Sequence, residues 1–291
     1  MYFSQLRSLV KSKTLAVKNY FTAPSMGTNY ANQDVSVSQH LIDYHITKAK
    51  EGLGLVIIEG TAVDRCGRII ANQLGLWSDE HIAGFKKLVD DCHKYGAKVS
   101  VQLSHAGTDI QPVSSSPIIC LKNSEMPREL TTEEVYEIIQ KFVDATRRCQ
   151  EAGVDAVEVH AAHSCLIGQF LSARMNKRID EFGGNLENRM RILLLIIQDI
   201  RQQVGYVYPI IVRTGYLSIT EINAITRRLG GAGNVILVSA RSGYLDYLAE
   251  TIRKSLEIPA IIKFLLLLLT DSLNLIAQMI SGRMAKRSWF Y

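Results

Sequence analysis

A chain of 291 residues is long enough for one large α/β domain or two ordinary ones, and 47% hydrophobic with 21% charged residues excludes an extended disordered chain. The formal net charge of +5 is mild and its Lys and Arg residues are scattered, which argues against a nucleic-acid surface and leaves anionic small molecules as fitting partners. Five cysteines (Cys66, Cys92, Cys120, Cys149 and Cys165) are odd in number and lack CxxC spacing, so no disulfide framework or zinc ribbon is expected and a reducing cytoplasm fits best.

The opening MYFSQLRSLVKSKTLAVKN contains no apolar segment with a cleavage site, so no signal peptide is expected. Asn19 to Ala23 is a weak strand candidate. Ser36 with Gln39 has capping-box spacing and predicts a helix start. Strands buried on both faces are then predicted at Leu55 to Glu59, Lys98 to Leu103, Ala156 to His160, Pro209 to Arg213 and Val235 to Val238. Between them lie helical stripes: Ile82, Phe85, Leu88 and Cys92 form one, and Val135, Ile138, Phe142, Ala145 and Cys149 another. Thr131 with Glu134 marks the start of the second. Ala260 to Phe264 is a further weak strand, inside an apolar run from Ile258 to Leu269 that Lys263 interrupts and that falls short of the roughly 20 residues a membrane span needs.

This alternation is the mark of repeated βα units around a parallel sheet. No linker divides the chain, so one domain over residues 1–291 is expected, most simply an eight-stranded (β/α)8 TIM barrel. Periodicity does not reveal whether the first and last strands meet, so a doubly wound open sheet fits the same rhythm; no GxGxxG follows an early strand.

In a parallel barrel, ligand-handling groups gather where strands end. Gln102 and His105 close the strand in VQLSHAG, His160 and His163 close the next in VEVHAAHS, and Arg213 closes PIIVR. The stretch VHAAHSCLIGQFLSARMNKRIDEFGGNLENRMR, with NYFTAPSMGTN, NQLGLWSDEHIAGFKKLVDDCHKYGAKVSVQLSHAG and PRELTTEEV, resembles the Old Yellow Enzyme family of NADH:flavin oxidoreductases, especially its bacterial 2,4-dienoyl-CoA reductase-like branch. The resemblance is strong from about Asn19 to Arg213 and fades afterwards.

That resemblance implies FMN as cofactor, NAD(P)H as hydride donor and an activated C=C bond as substrate. Gln102 would meet the imide edge of the flavin ring, whose donor and acceptor pattern an amide matches, and Arg213 would place a cation near N1. Ser25, Met26 and Gly27 match the turn whose backbone lines the ring, and Gly60 matches a close approach after the second strand. His160 and His163 match the pair that polarises the carbonyl oxygen of an α,β-unsaturated substrate.

Three departures from the pattern stand out. Cys165 occupies the place of the family's tyrosine proton donor, and it is either a thiol acid or an inert core residue. Loops after Arg213 and Ser239 look short, which should weaken water exclusion. Of the phosphate-binding Gly-Arg pairs only Gly282 with Arg283 survives, Lys263 being a substitute point charge. The last helix is expected to be truncated, with no iron-sulfur extension, and the apolar surface it leaves would favour either self-association to a homo-oligomer or a fragile barrel.

Two other functions fit the same residues. One is a catalytically silent barrel that binds a ligand or partner; the other is a metal-dependent lyase or hydrolase built on His105, His160 and His163. FGGNLENR is read as structural, its glycines turning the chain and Asn185 and Glu187 starting a helix.

Overall fold

A computed structural model of the chain describes residues 8–12, 14–106, 112–118, 126–215, 219–229 and 235–239. The hairpin β1 (Val10–Ser12) and β2 (Leu15–Val17) precedes a parallel sheet formed by β3 (Thr22–Ala23), β4 (Leu55–Ala62), β5 (Lys98–Ser104), β8 (Ala156–Ala161), β9 (Ile210–Thr214) and β10 (Val235–Ser239). A separate two-stranded pair, β6 (Val113–Ser114) with β7 (Arg128–Glu129), lies between β5 and β8 in sequence. The six sheet strands neighbour one another in strict chain order. A doubly wound sheet reverses its order at a switch point, and the described strands show no such reversal, as a barrel wall requires.

Helices α1 (Gln39–Lys50), α2 (Ile82–His93), α3 (Thr132–Glu151), α4 (Leu166–Leu171), α5 (Leu186–Val204) and α6 (Ile219–Leu229) fill the connections. The stripes at Phe85, Leu88 and Cys92 of α2 and at Val135, Ile138, Phe142, Ala145 and Cys149 of α3 are buried in the main core. They pack with Val56, Ile58, Val99, Val101, Leu103, Val157, Val159 and Val212, which are the outward-facing strand residues. A second, separate cluster joins Leu55, Ile57, Ala156 and Ile211 to Leu15 and Val17 of the hairpin. Because side chains alternate across a strand, this second set faces the barrel interior, and the hairpin plugs its lower end.

Thr131 caps α3 with a complete capping box: its side chain accepts from Glu134 N at 3.2 Å and Glu134 accepts from Thr131 N at 2.8 Å. At α1 the expected cap is displaced. Ser38, not Ser36, accepts from Leu41 N at 3.1 Å, while Ser36 is held by Asp34 in the preceding turn and Gln39 is already helical. The weak first strand shrinks to Thr22–Ala23 because the Asn19 amide takes the local bonds instead, donating to Gly52 O and accepting from Phe21 N. The connection after β9 is as short as its sequence implied, residues 215–218 alone separating Thr214 from α6. The candidate strand Ala260 to Phe264, the loop after Ser239 and the last helix lie outside the described residues.

Candidate active site

Above the apolar floor the interior turns polar. The register pairs Gln102 with Glu158 across β5 and β8, and His160 with Arg213 across β8 and β9. Gln102 Nε2 donates to Glu158 Oε1 at 2.5 Å, and Ser25 Oγ, arriving after β3, donates to Gln102 Oε1 at 3.0 Å. Arg213 lies at the edge of ion-pair range, its guanidinium 4.0 Å from Glu158 Oε1. The Glu158 side chain is fully buried and its Oε2 has no hydrogen-bond partner, and neither has Arg213 Nε. Buried polar atoms are nearly always paired, so two unpaired ones on neighbouring side chains at the strand ends make this layer a candidate place for a polar ligand. Glu158 is absent from the sequence-based set of site residues. Its signal was available in VEVH, where a carboxylate inside a strand buried on both faces demands a partner.

One layer higher, the His160 and His163 rings lie 5.1 Å apart, tilted by 56°. His160 is buried near the end of β8, whereas His163 is exposed in the turn that follows. That turn is left-handed at two successive non-glycine residues, His163 at φ 54° and Ser164 at φ 61°. Cys165 N donates to Ala162 O at 3.0 Å, closing the turn. The Cys165 side chain is buried at the N-terminus of α4.

On the opposite side, β4 carries a bulge. Its pairing with β5 runs in step to Ile58 and resumes at Thr61, so Glu59 and Gly60 together face the single residue Gln102. The bulge turns Gly60 inward, where a Cβ would sit 3.4 Å from both Gln102 Oε1 and Ser104 Oγ. Gln73 Nε2 holds the Gly60 carbonyl at 2.7 Å. Glu59 is turned instead to Thr28, accepting from its backbone N at 3.0 Å and from its hydroxyl. Burial pushes the Glu59 carboxyl above its ordinary range against these bonds, and the same burial pushes nearby Lys48 down to about 8. Met26 is 44% exposed and Gly27 faces open space, so the turn after β3 leaves its backbone accessible at the rim.

His105 does not join the other two histidines. Its buried ring packs against Gly67, where a Cβ would come within 2.9 Å of it, and faces Asp64 at 3.9 Å. His105, together with Lys141 in a 2.6 Å ion pair, holds the Asp64 carboxyl well below the usual carboxylate range. Among the described residues no three His, Cys, Asp or Glu side chains are grouped to hold a metal ion, which removes the basis of a lyase or hydrolase on His105, His160 and His163. No helix among them is long and apolar enough to cross a membrane.

Residues 9–241 match the model of the NADH:flavin oxidoreductase / NADH oxidase family. The chain belongs to that family. The match begins before and ends after the stretch from Asn19 to Arg213 on which the sequence resemblance is strong. The NADH oxidase of Thermoanaerobacter brockii is 41% identical over 89% of the chain and 45% of its own length. The NADPH dehydrogenase of Clostridium acetobutylicum is 37% identical over 69% of the chain and 61% of its own. This family member therefore spans less than two thirds of these curated relatives. Among solved structures, a 2-naphthoyl-CoA reductase in complex with 2-naphthoyl-CoA superposes with a TM-score of 0.82 at 28% identity, over 89% of this chain and 46% of that one. Old Yellow Enzyme from Pichia sp. AKU4542 superposes at 0.78 with 23% identity, covering 84% and 73%, a likeness of fold. The fold is a TIM barrel, and the six described strands are one arc of its wall.

FMN and NAD(P)H are the cofactors of this family. The described residues fit the ring of a flavin: an inward glycine leaves room for a flat face, Gln102 offers an amide, and Arg213 Nε is a buried donor in want of an acceptor. Lys263, Gly282 and Arg283, expected at the phosphate, lie outside the described residues.

Proposed function

We propose that the chain is an FMN-dependent oxidoreductase that carries hydride from NAD(P)H to the activated C=C bond of an α,β-unsaturated carbonyl or enoyl compound. The observation that carries this reading is the stacking of two layers. The Gln102–Glu158–Arg213 layer suits a flavin ring, and the His160 and His163 pair lies one layer above, where a substrate oxygen would sit. When bound, FMN supplies the hydride relay between nicotinamide and alkene. Gln102 and the backbone of Ser25, Met26 and Gly27 would hold the ring, Gly60 would admit it, and Arg213 would offset negative charge on it. Lys263, Gly282 and Arg283 would hold the phosphate.

His160 and His163 would donate hydrogen bonds to the carbonyl oxygen and draw electron density from the alkene, leaving its β-carbon electron-poor. The proton for the α-carbon would come from the Cys165 thiol. The similarity to a reductase of an aromatic CoA thioester favours conjugated thioesters within this substrate class. On this reading residues 1–291 form a single cytoplasmic FMN-binding domain.

The test is reconstitution of the purified chain with FMN, followed by anaerobic oxidation of NADH and NADPH and consumption of 2-cyclohexen-1-one. A flavin absorption band, enone-dependent turnover and loss of that turnover in His160→Ala and His163→Ala are expected. A chain that takes up no flavin and turns over no enone would sink the proposal in favour of a silent, ligand-binding barrel.

A further inference from the structure

The turn that carries His163 is held in an unfavourable conformation, and a buried side chain spans it. Two consecutive L residues with side chains, His163 and Ser164, sit in the left-handed region, where Cβ crowds the following carbonyl. Such strain persists only where the surroundings over-determine it. Here Gln169 Nε2 donates to Ser164 O at 2.8 Å, and Gln169 Oε1 accepts a longer bond from Ser115 N at 3.4 Å. Gln169 is only 4% exposed, and its backbone N donates to Cys165 O at 2.9 Å, which fixes its place in the first turn of α4. The far anchor is itself held: Lys177 N donates to Ser116 Oγ at 2.9 Å, and the buried Arg178 guanidinium reaches Ser115 O.

We infer that Gln169 is the positioning residue of the histidine pair, clamping the left-handed His163–Ser164 turn so that the exposed His163 ring stays beside His160. The inference rests on the proposed role of that pair. Without the clamp, the carbonyl side of the peptide between Ser164 and Cys165 loses its hold while Cys165 N stays on Ala162 O, and the strained turn relaxes so that the ring leaves its partner. A glycine at 164 adopts the left-handed conformation without steric cost, so it should hold the turn where the clamp is missing.

The experiment uses the full chain. Gln169→Leu removes both side-chain bonds, and Gln169→Glu removes only the donor to Ser164 O; the second carries the test if the first does not fold. In FMN-loaded protein, either variant is expected to lose about 10- to 100-fold in enone turnover, the scale set by small misplacements of a reacting group, with flavin reduction by NAD(P)H unchanged. In FMN-free protein, the His163 ring-proton NMR signal, assigned with His163→Asn, is expected to shift and broaden. Adding Ser164→Gly should restore both the turnover and the signal, which recovery of stability alone would not do. Wild-type turnover and an unmoved His163 signal in the Gln169 variants, or no rescue by Ser164→Gly, would overturn the clamp. If His163→Asn leaves enone turnover unchanged, the proposed function fails instead, and the NMR signal still decides whether Gln169 holds the turn.

Discussion

Replacing Arg213 by Ala should cost far more stability than a surface arginine would, because of what it leaves behind. At 4.0 Å and an effective dielectric of about 20, the Arg213–Glu158 attraction is worth about 4 kcal/mol. The Arg213 side chain is 12% exposed and that of Glu158 is fully buried, so solvent cannot take over the role of the cation. Removing one partner of a buried pair typically costs about 3 to 5 kcal/mol, a large share of the roughly 5 to 15 kcal/mol that holds a domain together. Glu158 would retain its bond from Gln102 but no compensating charge among the described residues.

The double variant Glu158→Gln with Arg213→Ala buries no net charge and should lose only about 1 to 2 kcal/mol. Urea denaturation of the FMN-free chain at pH 7.5, followed by circular dichroism on the wild type, both single variants and the double, closes the cycle. A coupling energy of at least about 2 kcal/mol is expected. Additivity within about 0.5 kcal/mol would refute the claim that these two groups compensate one another. Arg213→Ala should also weaken FMN retention, measured by flavin release on gel filtration.

His45 on α1 is buried with both ring nitrogens unpartnered, and burial holds its pKa well below the ordinary value of 6.5. Only the unfolded chain gains a proton there as pH falls below about 6.5, so this group subtracts stability on the acid side; His45→Leu should raise stability by about 1 to 3 kcal/mol at pH 7 and flatten that slope in urea titrations at pH 7.5 and 5.5. Asp64, its carboxyl depressed by His105 and Lys141, contributes stability that is present above the ordinary 3.8 and is lost as pH falls toward its lower folded value. Asp64→Asn should therefore remove part of the acid-unfolding transition below about pH 4, and an identical acid limb in wild type and variant would count against the pairing. Cys165→Ala should spare flavin reduction and slow the alkene half-reaction by less than about 100-fold, with Cys165→Tyr restoring it; equal stopped-flow rates for all three would eliminate the thiol as the acid.

The central strands and the helices behind them were legible because each had a strong local pattern. VIIE, VSVQL and VEVH are short β-branched runs buried on both faces, and the α3 stripe repeats at helical spacing from Val135 to Cys149. The β1–β2 hairpin was not legible, since three-residue strands carry too few alternations and their apolar residues find partners only in a floor assembled from distant strands. The Ser36 cap misled for a related reason: serines at 36 and 38 both precede the helix, and only tertiary context diverts Ser36 to Asp34. Gln102, His160 and Arg213 are legible as candidates because polar groups at strand ends stand out in sequence, while Glu158 and Gln169 are not, because the bonds that single them out run to neighbours that only the fold brings together.

The layout of the interior explains how one barrel can be both packed and receptive. Barrel interiors are ordinarily filled by layers of branched side chains. Among the described residues that filling lies in the lower layer, where Leu55, Ile57, Ala156 and Ile211 meet Leu15 and Val17 from the hairpin. The next layer exchanges apolar volume for groups that bond sideways, Gln102 to Glu158 and Ser25 to Gln102. A bulge in β4 then withdraws Glu59 toward Thr28 and presents Gly60. Had β4 continued in register, the alternation from Ile57 would have aimed Glu59 into the cavity, filling the space beside Gln102 with a second carboxylate close to Glu158. Two buried carboxylates there would repel one another and any anionic ligand. The bulge removes that charge and the Cβ in one step, which leaves the mutually compensating Arg213 and Glu158 as the charged groups of this layer among the described residues.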